Sequence, residues 1–264
     1  MLQAYWYITK MRVQTNLAYR FEVFAAVGTN LVLMTASVFL WQTAYSGVDR
    51  VDSLGVNDMI TYTIVSVVLA SCFVCGVQNT IYSKIREGHI VTDFYRPIPL
   101  LACYLADDIG DMLSSLATKA LPLTAFAALL FGAPLPASMT ALPFFIVSCM
   151  LSYCILWLLS ALVGCIAFWV MEIGNMGIVK DAIVRVLSGS LVPLWFFPES
   201  VQAVSTFLPF QYTYQTPLGI YIGRTGPLEA LPAMGVQAIW IAILFAGLVL
   251  FWKKTKTKTL IQGG

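Results

Sequence analysis

From Ala120 to Met171 the chain carries no Asp, Glu, Lys or Arg. Water does not solvate so long a charge-free run on the surface of a folded protein. It is also too long for one membrane crossing, which takes about 20 apolar residues at 1.5 Å rise each to span roughly 30 Å of hydrocarbon. Gly132-Ala133-Pro134-Leu135-Pro136 interrupts it, and such Gly/Pro clusters mark turns. The run therefore reads as the end of one span and the whole of the next. Composition extends this reading to the entire chain of 264 residues: 59% are apolar, 11% are charged and mean hydropathy is +0.81. A soluble domain carries about 25% charged residues. An ordinary soluble enzyme, a disordered chain and a nucleic-acid binder are excluded, and a net charge of +2 gives no polyanion-binding footprint. The fold class expected is an all-α, polytopic membrane protein of a single domain.

Charge-free intervals place spans near 23–43, 59–81, 141–170 and 231–252, and two further spans that carry charges are expected near 105–131 and 180–197, six in all. The third takes in Asp107, Asp108, Asp111 and Lys119, and Pro193 sits inside the short fifth. Between the fifth and sixth, residues 199–223 hold Pro209, Pro217 and many uncharged polar side chains. Irregular backbone cannot face lipid unsatisfied, so this stretch is expected to be a re-entrant or interfacial hairpin on the outer side. Lys and Arg favour the cytoplasmic side. Lys10, Arg12, Arg20, Lys84, Arg86, Arg96, Lys180, Arg185 and the Lys253 to Lys258 tail fall on one side, against Arg50 and Arg224 on the other. Both termini are expected to be cytoplasmic, with the tail facing anionic lipid. Met1 to Arg20 lacks a signal peptide's order of charge, apolar stretch and cleavage site, so insertion is expected to use the first span.

Six cysteines invite a disulfide or redox reading. Five lie within apolar runs and the sixth at the start of one, and the Cys72/Cys75 pair has no βαβ surroundings, so they read as small packing residues. His89 is the single histidine, which removes multi-histidine metal sites. No Gly-Lys dipeptide and no Gly-x-Ser-x-Gly occurs, so there is no phosphate-cradling loop and no nucleophile elbow. The sequence thus assigns no catalytic, cofactor or metal residue to this chain. Asp111 and Lys119 are the possible intramembrane charges. The aspartates alternatively mark a wet helix start, and Lys119 a snorkelling or paired lysine.

The loop after the second span interleaves charges with Ile85, Ile90, Val91, Phe94 and Tyr95 before Pro97 and Pro99 close it. Ile90 and Phe94 share a helical face, and His89 and Asp93 an adjacent one. A short amphipathic helix over Glu87 to Tyr95 is expected. It either lies on lipid or docks into a cytosolic partner.

Three segments resemble ABC-2 type exporter permeases of the multidrug- or peptide-type branch. Leu17 to Phe24 resembles the branch's amphipathic lead-in to the first span, and Leu40-Trp41 its end. Ile85-Arg86-Glu87-Gly88-His89-Ile90 with Arg96-Pro97 resembles the coupling-helix region, His89 standing where an acid is usual and Ile98 where Leu is usual. Leu187-Ser188-Gly189-Ser190 through Pro193-Leu194-Trp195-Phe196-Phe197-Pro198, with Leu208-Pro209-Phe210 to Pro217, resembles the family's Leu-Ser-Gly … Leu-Pro-Phe signature. The resemblance implies a type V exporter-like permease, paired with an identical or sibling permease and with two ABC ATPase subunits that bind ATP and Mg. It implies a bacterial inner-membrane location and export of an amphipathic or lipophilic substrate by alternating access. The coupling helix would be residues 85–96, with Ile85, Arg86, Glu87, Gly88, His89, Ile90, Asp93, Phe94 and Arg96 at the ATPase. The translocation pathway is expected at Asn30, Ser66, Ser188, Gly189, Ser190, Pro193 and Trp195. A gradient-driven carrier or channel, and a membrane-embedded enzyme or assembly factor, are the other classes open to such a chain.

Overall fold

The computed structural model describes residues 2–47, 50–51, 54–94, 98–169 and 176–262, the side chains at 20, 91, 94 and 255–262 excepted. The described residues are almost wholly helical, and among them five helical stretches are long and apolar enough to cross a membrane: Phe21–Ala44, Val56–Arg86, Leu100–Phe131, Met139–Ile166 and Pro227–Lys254.

The first element is one the charge pattern did not mark. Helix α1 (Leu2–Ala18) precedes the first long helix, α2 (Arg20–Ala44), and packs on α6 (Leu100–Ser115). Thr9 Oγ1 donates to the Ala106 carbonyl at 2.8 Å. Gly110 permits the close approach, because a Cβ there would lie 2.7 Å from Arg12 Cβ. The far side of α1 bares Leu2, Trp6, Tyr7 and Met11. Helix α2 likewise leaves Phe21, Phe24, Val32, Leu33, Phe39 and Leu40 outward, the surface of a helix whose solvent is lipid or another membrane chain. A two-stranded hairpin, β1 (Arg50–Val51) with β2 (Leu54–Gly55), links α2 to α3 (Val56–Cys72).

The second crossing is not the continuous helix expected over 59–81. It breaks after Cys72 and resumes as α4 (Val77–Arg86). Neither proline nor a glycine cluster lies at the break. The cause is Asp108 on α6. Its carboxylate accepts from the backbone N–H of Gly76 (2.9 Å) and of Val77 (3.1 Å), capping the start of α4 from another helix. The third crossing, α6 and α7 (Leu121–Phe131), passes through a π turn at Leu116–Ala120. Pro122 follows that turn, and a proline cannot continue the regular ladder of bonds four residues back.

Helix α8 (Leu142–Ile166) and the 36-residue α12 (Pro227–Gln262) run side by side in the same direction. Ser148 meets Gln237 near one end, and Phe168 meets Trp252 near the other. The chain between them must therefore return across the bundle. It does so in pieces. Helix α9 (Met176–Leu187) has 12 residues, about 18 Å, and is too short to be the spanning helix expected near 180–197. The reason is local: Gly189 at φ +78° turns the chain in the left-handed region. Pro193 then opens a 3₁₀ turn at Leu194–Phe196. Residues 199–223 contain α10 (Glu199–Thr206) and α11 (Gln215–Tyr221). Between these two helices the chain approaches α3, α8 and α12: Tyr214 packs on Phe73, and the Tyr212 carbonyl accepts from Ser152 and Gln237. Tyr221 lies back at the hairpin end, donating to the Pro134 carbonyl.

Two apolar clusters tie the ends. One joins Val77, Ile81, Ile90, Leu100, Ile155 and Leu248; the other joins Trp41, Leu54, Met59, Tyr62 and Leu218.

Candidate functional site

Helix α4 runs through Lys84 to Arg86 before the chain turns at Glu87 to His89, where Gly88 takes φ +75°. Helix α5 (Ile90–Phe94) follows as little more than one turn. The single helix expected over Glu87 to Tyr95 is thus split, because left-handed backbone at Gly88 ends one helix before the next begins. The two faces differ sharply. Arg86, Glu87, Gly88, His89 and Thr92 are exposed, whereas Ile90 is buried in the core. Ile85 packs against the same cluster.

Asp93 corrects the sequence reading. It is 3% exposed and faces inward. Lys84 Nζ makes an ion pair with it, and Tyr104 Oη donates to it at 3.2 Å. Lys84 also sits 4.9 Å over the Tyr104 ring. Asp93 therefore folds the turn instead of presenting itself to a partner. Arg96 and the side chain of Phe94 lie outside the described residues.

Behind α4 opens a cavity of about 430 Å³ between α2, α3, α4, α8 and α9. Asn30, Ser66 and Ser190 line it, and so do Thr63, Gln78, Asn79, Ser160, Lys180, Asp181 and Arg185. Lys180 Nζ holds Asp181 Oδ1 and Ser160 Oγ, each at 2.8 Å. Gln78 Oε1 is buried with no hydrogen-bond partner among the described residues. A polar lining inside an apolar bundle is costly to keep and marks a wet or ligand-bearing space.

Ser188, Gly189, Pro193 and Trp195 do not line that cavity. They build the turn beside it. Tyr62 Oη donates to the Gly189 carbonyl (2.7 Å), and Ser66 Oγ to the Ser190 carbonyl (2.6 Å). Gln215 Oε1 accepts from Leu194 N–H, and Gln215 N–H donates to the Ser188 carbonyl. Trp195 stacks edge-on against Tyr62, with the Arg224 guanidinium 4.4 Å over its ring. A Cβ on Gly189 would stand 2.8 Å from Gln215 Oε1 at a φ only glycine favours. Gly189→Ala is expected to cost about 2 kcal/mol, a fall of roughly 5 °C in the detergent-solubilised melting temperature. An unchanged Tm would show that the turn tolerates a side chain.

A further group of charges gathers beside α1. Asp108 and Asp111 are buried, so they are not the wet helix start considered above. Arg12 holds Asp111 through Nε (2.6 Å) and Nη2 (3.0 Å), and Asn16 Nδ2 donates to the same carboxylate at 2.6 Å. Lys119 is half-buried and shares a recess of about 340 Å³ with Arg12, Glu22 and Asp111. Asp111 is thus an anchor for α1, not a lone midplane carboxylate.

Sequence reasoning also missed Gln237, fully buried in the first third of the long helix and bonded to Ser148, Ser152 and the Tyr212 carbonyl. A lone amide in an apolar helix was the available signal.

A search of curated proteins finds none that matches the chain. Against models of protein families, residues 31–263 match the ABC-2 family transporter protein. That match takes in the folded turn, the lining of the polar cavity except Asn30, and the broken return segment. The chain belongs to the ABC-2 transporter family and is a multi-pass membrane permease of that type.

Proposed function

We propose that this chain is the membrane-spanning subunit of an ATP-driven exporter. Two copies, or one copy and a sibling permease, would enclose the pathway, and two ABC ATPase subunits carrying ATP and Mg would dock from the cytosol. Both termini would be cytoplasmic, in a bacterial inner membrane. The segment from Met176 to Tyr221 would make the fifth of six crossings and a re-entrant hairpin on the outer side. The cavity at Asn30, Ser66 and Ser190 would take an amphipathic or lipophilic cargo, its polar part met by Lys180, Asp181 and Arg185, and alternating access would carry the cargo outward.

The observation that supports this reading best is the turn at residues 86–89. It bares Arg86, Glu87 and His89 on a base locked by Asp93. A rigid, charged knob at the end of a transmembrane helix suits docking and force transfer. A membrane-surface helix would instead point its apolar face outward, and Ile90 points in.

The test is purification of the tagged chain from gently solubilised membranes. An ATPase with nucleotide-binding motifs, identified by mass spectrometry, is expected to copurify stoichiometrically. Glu87→Lys with Arg86→Glu is expected to lower the recovered ATPase about tenfold while leaving the permease folded, since both side chains are exposed. Failure of any ATPase to copurify would overturn the proposal.

A further inference from the structure

Helix α4 joins two places of different character. Its C-terminal end is the charged turn at residues 86–89, and its N-terminal end, Gly76, Gln78 and Asn79, is wall of the polar cavity. One unbroken helix of ten residues, about 15 Å long, carries both. A helix that short moves as one body. Whatever displaces the turn displaces the wall, provided the helix pivots somewhere, and Phe73–Gly76 is the one place along this crossing where the ladder is interrupted.

The interruption is imposed from outside. Phe-Val-Cys-Gly contains no proline, so nothing in its covalent structure forbids a continuous α3–α4 helix. What holds it open is Asp108. Its two oxygens take the Gly76 and Val77 N–H groups, donors that a continuous helix would bond internally. Trp157 Nε1 on α8 donates to the same carboxylate at 2.9 Å, and Tyr153 Oη to the Asp108 carbonyl at 2.9 Å. Asp108 is 3% exposed. A Cβ at residue 76 would come to 3.1 Å from Asp108 Oδ1, so the glycine admits the clip. The structure shows the segment broken and clipped; with the clip released, the same two N–H groups could bond within a continuous helix. An element with two discrete packings is what a mechanical input can switch.

We propose that Phe73–Gly76 is the hinge through which the turn at residues 86–89 works the cavity wall, and that Asp108 is the positioning residue that holds this hinge in its broken form. The proposal rests on the reading of the chain as an ATPase-driven permease. Release of the clip straightens the crossing, rotates Gln78 and Asn79 out of the cavity and changes the surroundings of Cys75, which lies in the hinge and lines the same cavity.

Cys75 supplies a readout that needs no knowledge of the cargo. In the copurified complex, with the other five cysteines replaced by alanine, Cys75 is labelled with N-ethylmaleimide in the absence of nucleotide and with ATP plus vanadate. With Asp108 intact, the labelling rate is expected to change about tenfold between the two conditions, the size of a shift between two populated states. In Asp108→Asn the ATPase is expected still to copurify and to hydrolyse ATP at a basal rate within about twofold of the parent, while Cys75 labels alike in both conditions. Trp157→Phe removes one bond to the carboxylate and leaves both backbone bonds. It is expected to cut the nucleotide response at least by half, and it carries the test if the Asp108 variant does not accumulate. A full nucleotide response in Asp108→Asn, or in Trp157→Phe when that variant alone is recovered, overturns the hinge. So does a parent complex that hydrolyses ATP while Cys75 labelling ignores nucleotide. If no ATPase copurifies with the parent, the functional reading falls and the hinge falls with it.

Discussion

Asp93→Ala is expected to leave the permease in the membrane yet reduce the recovered ATPase more than tenfold, a larger loss than reversal of the exposed charges. The carboxylate is buried, paired with Lys84 and hydrogen-bonded by Tyr104, so it closes the turn from both flanking helices. Its removal leaves an ammonium and a phenol without that partner. Breaking a buried pair this way costs about 3–5 kcal/mol; Lys84 keeps 29% of its side chain in solvent, which places the loss toward the lower value. A penalty of about 3 kcal/mol opens the local equilibrium roughly a hundredfold. The measurement is hydrogen–deuterium exchange over residues 84–94 beside the copurification assay. Faster exchange with lost ATPase is the expected pair. Unchanged exchange would show that Ile90 and Ile85 packing alone holds the turn. Asp93→Asn, which preserves shape and one acceptor, is expected to fall between alanine and the parent.

The long crossings were legible because charge is expensive in hydrocarbon. Intervals without it near 23–43, 141–170 and 231–252 lie over the helices Arg20–Ala44, Leu142–Ile166 and Pro227–Gln262. The folded turn was legible as an amphipathic segment, and Ile90 was rightly placed on its apolar side. What could not be read was anything decided by a partner distant in sequence. The break at residues 73–76 carries no local breaker, since its cause is a carboxylate on α6 and an indole on α8. Asp93 carries a surface residue's chemistry and becomes interior only because Lys84 and Tyr104 converge on it. The short return segment failed for the opposite reason. Residues 182–197 are largely apolar, but Gly189 and Pro193 have backbone preferences that hydropathy does not weigh. Helix α1 did leave a trace: Thr9, Arg12 and Asn16 recur at helical spacing, and all three side chains meet α6.

That stripe on α1 carries the second large effect. Asp111→Lys is expected to cut accumulation of the folded chain severely, because it sets a cation against Arg12 where a bidentate pair stood. Arg12→Asp opposes two carboxylates there and is expected to do the same. The exchange Arg12→Asp with Asp111→Arg is expected to recover most of the loss, since the exchanged pair keeps one charge of each sign. Asp111 keeps 12% of its side chain exposed and Arg12 40%, so the pair is neither a surface bridge nor a dry one. A coupling free energy of about 1–3 kcal/mol from the double-mutant cycle fits that position. pH offers an independent check on Arg12. The hydrogen bond that Arg12 donates to Asp111 leads in raising its pKa above an already very basic value, against the opposing effect of burial. A cation whose folded pKa is raised contributes stability that is fully present below its unfolded pKa and is lost only as pH rises through the folded one. The Arg12 contribution is therefore constant between about pH 5 and pH 9, and thermal unfolding across that range is expected to show no step that Arg12→Gln removes. A coupling energy near zero would mean that α1 is held by the Thr9–Ala106 bond and the close packing at Gly110, with the ion pair only filling the recess they leave.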